Sequence, residues 1–453
     1  MTQSQPTDDR KQSLFQTHFR PEEFAGRRER IFEAIGSEAC ALLQGAGPPR
    51  GFDVFRQSNE FYYCCGLEVP QAYLLMDGKR RRATLYLPHA DRRRSAEGES
   101  LAAEDAELIV RRTGVDAVEP IERLAAALQA AMVLYTPHCP AEGRCGSRDE
   151  LRASNRKIIA DCWDGRATRE QHLIDTLRRR HPQLDVRDLS PTLDRLRAIK
   201  SPLEIDLCRQ AGRLSAAAVT EAMRATRPGV YEYQLGAIAN YLYRLAGARG
   251  EGYRHIIAGG ANAWHAHYFR NDCPLADGEM VLMDGAPDFG YYTSDIGRMW
   301  PVGGTYSPVQ RELYGFIVEY HKTLLGLIRP GRSADEIHDE AAAAMAKVVE
   351  ATTFSKPVYQ AAARRTLEFR GHLSHPVGMA VHDVGGYGGP TLSPGVVFTV
   401  DPQMWVPEEQ LYVRVEDTVV VTDSGIETLT AAAPLELDDV EATMNQPPEL
   451  PLP

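Results

Sequence analysis

Residues 283–300 read MDGAPDFGYYTSDIGRMW. Apolar ends flank a Gly- and Tyr-rich middle, which predicts a strand, a tight turn and another strand, with Asp284 and Asp295 on either side of the turn. Taken alone, each acid has an ordinary reading: Asp284 precedes Gly285 as turn residues do, and Asp295 can cap a strand end. Residues farther along decide between two surface charges and half of a site.

After residue 260 the uncommon polar residues recur beside expected strands. His375 lies in GHLSHPVGMAVHD, Asp401 ends VVFTVD, and Glu416 stands inside LYVRVEDTVVV. Glu416 is the most telling, because a carboxylate in a Val-rich strand is costly to bury unless it is paired or metal-bound. Plain alternatives exist here too: a packed histidine, a turn-initiating Asp before Pro402, and a buried ion pair of Glu416 with Arg414. For the set to be inert, all five plain readings must hold together. Four carboxylates and one imidazole suit a pair of divalent cations such as Mn²⁺, Co²⁺ or Zn²⁺. Two such ions activate a shared water at neutral pH and clamp attacking and leaving atoms, so hydrolysis is the expected chemistry.

Upstream, Ser201-Pro202-Leu203-Glu204 predicts a helix start, with Ser as N-cap, Pro at the first helical position and Glu reaching back to the cap. Apolar Ile205, Cys208, Leu214, Ala217 and Val219 recur near helical spacing up to a stop at Arg227-Pro228-Gly229. RPGVYEYQL at 227–235 and RPGRSADEI at 329–337 both read as turns opening a second helix, which suggests an internal duplication. Residues 20–185 alternate helical stretches such as 21–35 and EDAELIVRRTG with short strands such as AYLLMDG and ATLYLPH, an α/β pattern. Prolines and charges after residue 181 place the expected division near 185, giving domains 1–185 and 186–453. The acidic, Pro-rich tail 434–453 is expected to be loosely held.

Composition agrees with two domains: 453 residues exceed one ordinary core, and 43% hydrophobic with 25% charged residues is that of a soluble globular protein. A net charge of −11 argues against nucleic acid or an anionic membrane as the partner. The basic runs at 79–82, 92–94 and 178–180 adjoin turn or helix-end signals and read as solvated faces. Eight cysteines contain no C-x-x-C pair, so neither a disulfide framework nor a zinc knuckle is expected, and the cytosol (a cytoplasmic protein) fits best. The polar start MTQSQPTDDRKQ, and the lack of a run near the roughly 18 apolar residues of a spanning helix, predict neither secretion nor a membrane anchor.

In order, these motifs resemble a known family. Asp284 with Asp295, H-x-x-G-x-x-V-H-D from His375, T-V-acid-P ending at Pro402, and R-x-E-D from Arg414 resemble the M24 metallopeptidases of pita-bread fold, and among them aminopeptidase P and prolidase. HYFRN at 267–271, AIKSPLEI at 198–205 and VHDVGGYG at 381–388 match further family segments, and 55–76 is similar to an N-terminal stretch of aminopeptidase P. The resemblance implies an α/β (α+β) protein of two domains, a creatinase/aminopeptidase P-like domain and a pita-bread catalytic domain with an internal pseudo-two-fold. It implies that Asp284 chelates one metal, that Asp295 and Glu416 bridge both, and that His375 and Asp401 complete the other. His267 and His382 are implied outside the metal shell, hydrogen-bonding the scissile carbonyl or the proline end of a peptide, with Arg414 orienting Glu416.

The implied activity is removal of an N-terminal residue preceding proline. A hydroxide bridging two divalent ions, Mn²⁺ first among them, attacks the carbonyl, and Asp401 passes a proton to the proline nitrogen. The implied partner is a peptide with proline second, and the implied assembly a homodimer or homotetramer. Alternatives are a prolidase acting on dipeptides, and a metal-poor relative that binds, or hydrolyses a small amidino compound as creatinase does. Two departures stand out: residue 401 is Asp where the family has Glu, and Gly371 stands where the family often has His, with His372 next to it. His265 matches no family role and is read as solvent-facing or packed.

Overall fold

The computed structural model describes residues 11–49, 51–91 and 100–450, so the basic run at 92–94 lies outside the described residues. The chain divides into two compact units, Met1–Arg197 and Ala198–Pro453. The division falls later than residue 185 because Asp185–Asp188 is an edge strand pairing in parallel with Val133–Thr136. Pro191 then sits in the first turn of the helix Ser190–Ala198, where a missing N–H is tolerated.

The first unit holds the expected helix Pro21–Ile35, strands Tyr73–Asp77 and Arg82–Leu87, and helix Ala106–Thr113. Its six-stranded sheet runs Ala117–Pro120, Arg82–Leu87, Tyr73–Asp77, Cys40–Gln44, Val133–Thr136, Asp185–Asp188 and mixes parallel with antiparallel pairs. Leu42, Leu75, Leu134 and Leu177 pack in its core. The basic runs at 79–82 and 178–180 are exposed, as solvated faces should be.

In the second unit the helix Pro202–Ala225 opens on the expected reciprocal cap: Ser201 N–H donates to Glu204 Oε2 at 2.9 Å and Glu204 N–H donates to Ser201 Oγ at 3.4 Å. Its buried face takes in Cys208 and Val219 as expected, but not the other three residues of the expected set. Ala217 is exposed and Ile205 and Leu214 only half-buried, while Leu207, Cys208, Ala211, Gly212, Ser215 and Ala218 turn inward. Small residues line that face because another backbone runs close by: a Cβ on Gly212 would stand 2.5 Å from the carbonyl oxygen of Leu429. Gly212→Ala therefore lowers stability by about 1–3 kcal/mol although alanine is the better helix former. Urea unfolding checks this, and an unchanged or raised midpoint contradicts it.

Both RPG segments lie between consecutive helices, the first between Pro202–Ala225 and Glu232–Leu245, the second between Pro308–Leu327 and Ala334–Ala351. Gly229 (φ 91°) and Gly331 (φ 84°) take left-handed backbone that a side chain resists. The helices accompany an antiparallel sheet in the order Val397–Val400, Glu416–Val421, Ile296–Pro301, Met280–Asp284, Ile256–Gly259, with Ile426–Thr428 also pairing to Glu416–Val421. A separate ribbon pairs Gln403–Val406 with Leu411–Arg414. Trp300, Leu282, Phe398 and Val419 belong to the core beside the sheet. The tail is not loose over 437–444: the helix Leu437–Met444 buries Val440 and Thr443. No helix among the described residues is long and apolar enough to cross a membrane.

Candidate metal centre

Strand register builds the site. Asp284 and Glu416 both pair with Gly297, from the strands on its two sides. A Cβ at residue 297 would lie 3.0 Å from Glu416 Cβ, so glycine keeps the space beside that acid open. Asp295 precedes the same central strand and is pinned by Thr418: its N–H donates to Thr418 Oγ1 at 2.8 Å, and the Thr418 hydroxyl donates to its carbonyl at 2.7 Å. Thr399 N–H donates to the carbonyl of His375 at 3.0 Å, hooking that loop to the strand Val397–Val400, which Asp401 directly follows.

His375 Nε2 lies 3.4 Å from Asp295 Oδ2 and 3.7 Å from Glu416 Oε1. One donor atom from each of these three residues falls within 4.8 Å of the others. Asp284 joins through Tyr253, whose hydroxyl stands 2.6 Å from Asp284 Oδ1 and 2.5 Å from Asp295 Oδ1. Arg414 contacts Asp284, lies 3.3 Å from Glu416 Oε2 and 3.5 Å from Asp401 Oδ2, so it touches three acids rather than Glu416 alone. The His382 ring is 4.1 Å from that of His375 and 6.1 Å from that of His267, which continues the row toward solvent. His265 is exposed, as expected.

The charge balance is uneven, with four buried carboxylates against one guanidinium. Burial and the neighbouring acids push Asp295 and Glu416 well above the usual carboxylate range, and burial raises Asp401. Burial alone would raise Asp284 as well, but the Arg414 charge and the Tyr253 hydroxyl outweigh it and hold it low. Burial and the adjacent His382 take His375 down to about 3, leaving a neutral imidazole with a lone pair to give. Glu416 Oε1 and Asp401 Oδ1 are buried without a hydrogen-bond partner. Crowded negative charge, orphaned acceptors and a neutral imidazole form a donor set that fits divalent cations.

A cavity of about 450 Å³ adjoins Asp401 and Gln403, walled by Leu324, Phe369, Leu373 and Trp405. A second grouping of Glu232, Asp272 and Cys273 is a structural hub. There Glu232 accepts from Gly259 N–H at 2.8 Å, Tyr268 OH at 2.9 Å and Cys273 N–H at 3.0 Å, fixing the segment that carries His267. Sequence reasoning missed Tyr253, Thr418 and Gln403. Thr418 is one step past the R-x-E-D motif and could have been found from it, whereas nothing local marks Tyr253.

Residues 206–423 match the model of metallopeptidase family M24, and residues 24–137 match that of the aminopeptidase P N-terminal domain. The chain is 31% identical to a Xaa-Pro aminopeptidase of Haemophilus influenzae over 94% of its own length and 97% of the relative's. It is 31% identical to the Xaa-Pro aminopeptidase of Escherichia coli, over 93% and 97%. The solved structure of E. coli aminopeptidase P with the inhibitor Pro-Leu superposes with a TM-score of 0.76 at 28% identity, covering 94% of this chain and 99% of that one. Proline aminopeptidase P II from Yersinia pestis gives 0.75 at 30% identity, over 94% and 99%.

Proposed function

The chain belongs to metallopeptidase family M24, and we propose that it is a metal-dependent aminopeptidase that releases the N-terminal residue from peptides with proline in second place. The observation that carries this reading is the convergence of Asp284, Asp295, His375 and Glu416, from separate strands and a loop, on one buried cluster short of positive charge. We assign Asp284, Asp295, His375, Asp401 and Glu416 as ligands of two divalent cations, Mn²⁺ before Co²⁺ or Zn²⁺. When bound, such cations supply Lewis acidity and an activated water at neutral pH.

The remaining work falls to the chain. His382 and His267 donate hydrogen bonds to the peptide carbonyl as its oxygen gains charge. Arg414 orients Glu416 and Asp284 and limits their mutual repulsion. Water adds to the Xaa carbonyl carbon and the C–N bond to proline breaks. The Asp401 carboxyl carries the water's proton to the proline nitrogen, freeing the amino acid and a peptide that begins with proline. The proposal includes a homodimer or homotetramer, which light scattering measures, and a cytoplasmic location, which eight free cysteines support.

The test is release of free amino acid from an Xaa-Pro-Yaa tripeptide by Mn²⁺-supplied protein, beside a chelated sample and an Xaa-Pro dipeptide. Metal-dependent release from the tripeptide is expected. Cleavage of the dipeptide alone makes the protein a prolidase, and no cleavage of either overturns the reading.

A further inference from the structure

Asp401 departs from the longer glutamate that the resemblance leads one to expect at this position, yet it does not stand alone. Gln403 opens the next strand and pairs with Arg414 across the ribbon, so the two side chains are neighbours. Both converge on one oxygen of Asp401: Gln403 Nε2 donates to Oδ2 at 2.5 Å, and Arg414 Nη1 lies 3.5 Å from the same atom. The other oxygen, Oδ1, is buried and has no hydrogen-bond partner. One oxygen is thus held and the other left with its lone pairs unused, the state a carboxylate needs to give a single atom to a cation.

Without the amide, Oδ2 keeps only Arg414 Nη1 at 3.5 Å, on a guanidinium already shared with Asp284 and Glu416. The carboxylate then loses its short anchor and can rotate, so that Oδ1 is no longer held toward the centre. We propose that Gln403 is a positioning residue for Asp401, its side-chain amide occupying Oδ2 so that Oδ1 faces the cation, and that the Asp401–Gln403 pair does together what a longer acid does alone. The inference rests on Asp401 being a metal ligand, as proposed above.

Two consequences separate it from a merely structural role. Gln403→Leu keeps the volume and removes the donor, so it weakens one of the two cations about ten- to a hundredfold, as the loss of an outer partner of a ligand does. The same variant lowers kcat with little change in KM. Asp401→Glu alone also loses affinity, because Gln403 fills the space that the added methylene needs. Asp401→Glu with Gln403→Gly restores the room and recovers affinity and rate well beyond the product of the two single effects.

Equilibrium dialysis of each protein against a Mn²⁺ series reads the affinity without reference to turnover, and circular dichroism confirms the fold. Two-site binding by Gln403→Leu equal to wild type overturns the inference, and so does simple additivity in the double variant. Wild-type protein that binds two ions but cleaves no peptide overturns the functional reading alone, and the dialysis still decides on Gln403. Wild-type protein that takes up no divalent ion overturns both.

Discussion

Replacing Glu416 with alanine cuts amino-acid release from an Xaa-Pro tripeptide by about a thousandfold or more, because several kcal/mol of transition-state stabilisation leaves with the cations. The same protein, dialysed against Mn²⁺, retains less than its wild-type complement. Asp295→Ala behaves alike, since Asp295 and Glu416 both lie beside His375 Nε2. His265→Ala is the control: the residue is exposed, and surface changes of this kind stay within about 0.5 kcal/mol. Metal analysis and steady-state kinetics on the three variants check the set. A fully metallated, active Glu416→Ala protein refutes the two-cation assignment.

The second large effect is on stability. Arg298 is 1% exposed and donates from Nη2 to Asp417 Oδ1 at 2.8 Å, from Nη1 to the Glu416 carbonyl at 2.7 Å and from Nε to the Pro434 carbonyl at 3.0 Å. Arg298→Met leaves Asp417 a buried charge whose remaining side-chain partners, among the described residues, are His321 and Thr430, and costs about 3–5 kcal/mol in urea unfolding. A loss under about 1 kcal/mol contradicts the pairing, since only exposed pairs are worth so little.

Asp417 also gives this pairing a pH signature. Burial alone would raise its pKa, but the Arg298 guanidinium and the His321 hydrogen bond outweigh burial and hold it well below the usual carboxylate range. A depressed folded-state pKa contributes stability that is complete above the unfolded value, about 3.9, and is lost as pH falls toward the folded one. The stability gap between wild type and Asp417→Asn is therefore widest above about pH 4 and narrows in acid.

How much of this was legible depends on the physics each residue obeys. Glu416 stood out because a charge in a run of valines violates local burial rules, and the helix at Ser201 because its cap is written in four adjacent residues. Helical spacing carried the period of Pro202–Ala225 and the burial of Cys208 and Val219, but not the whole face: Ala217 points to solvent because the buried side is set by the approach of Leu429, far away in the chain. The same limit hid Tyr253 and Gln403. Their roles exist only once strand register has brought 253 beside 284 and 403 beside 414. Composition makes the tail look loose because it reports solubility, while the burial of Val440 depends on core residues far away in the chain that no local pattern describes.

The gathering of acids from residues 284 to 416 has a consequence for the life of the protein. Like charges that repel when bare oppose closure of the sheet, and a cation that binds only the assembled set holds it shut by mass action, adding about 2.7 kcal/mol at a free concentration one hundred times its dissociation constant. Chains lacking the assigned cations would open more often and be cut sooner by a protease than chains that hold them. With the cations assigned above in place, ion supply would set how many copies of the molecule persist as well as how fast each of them works.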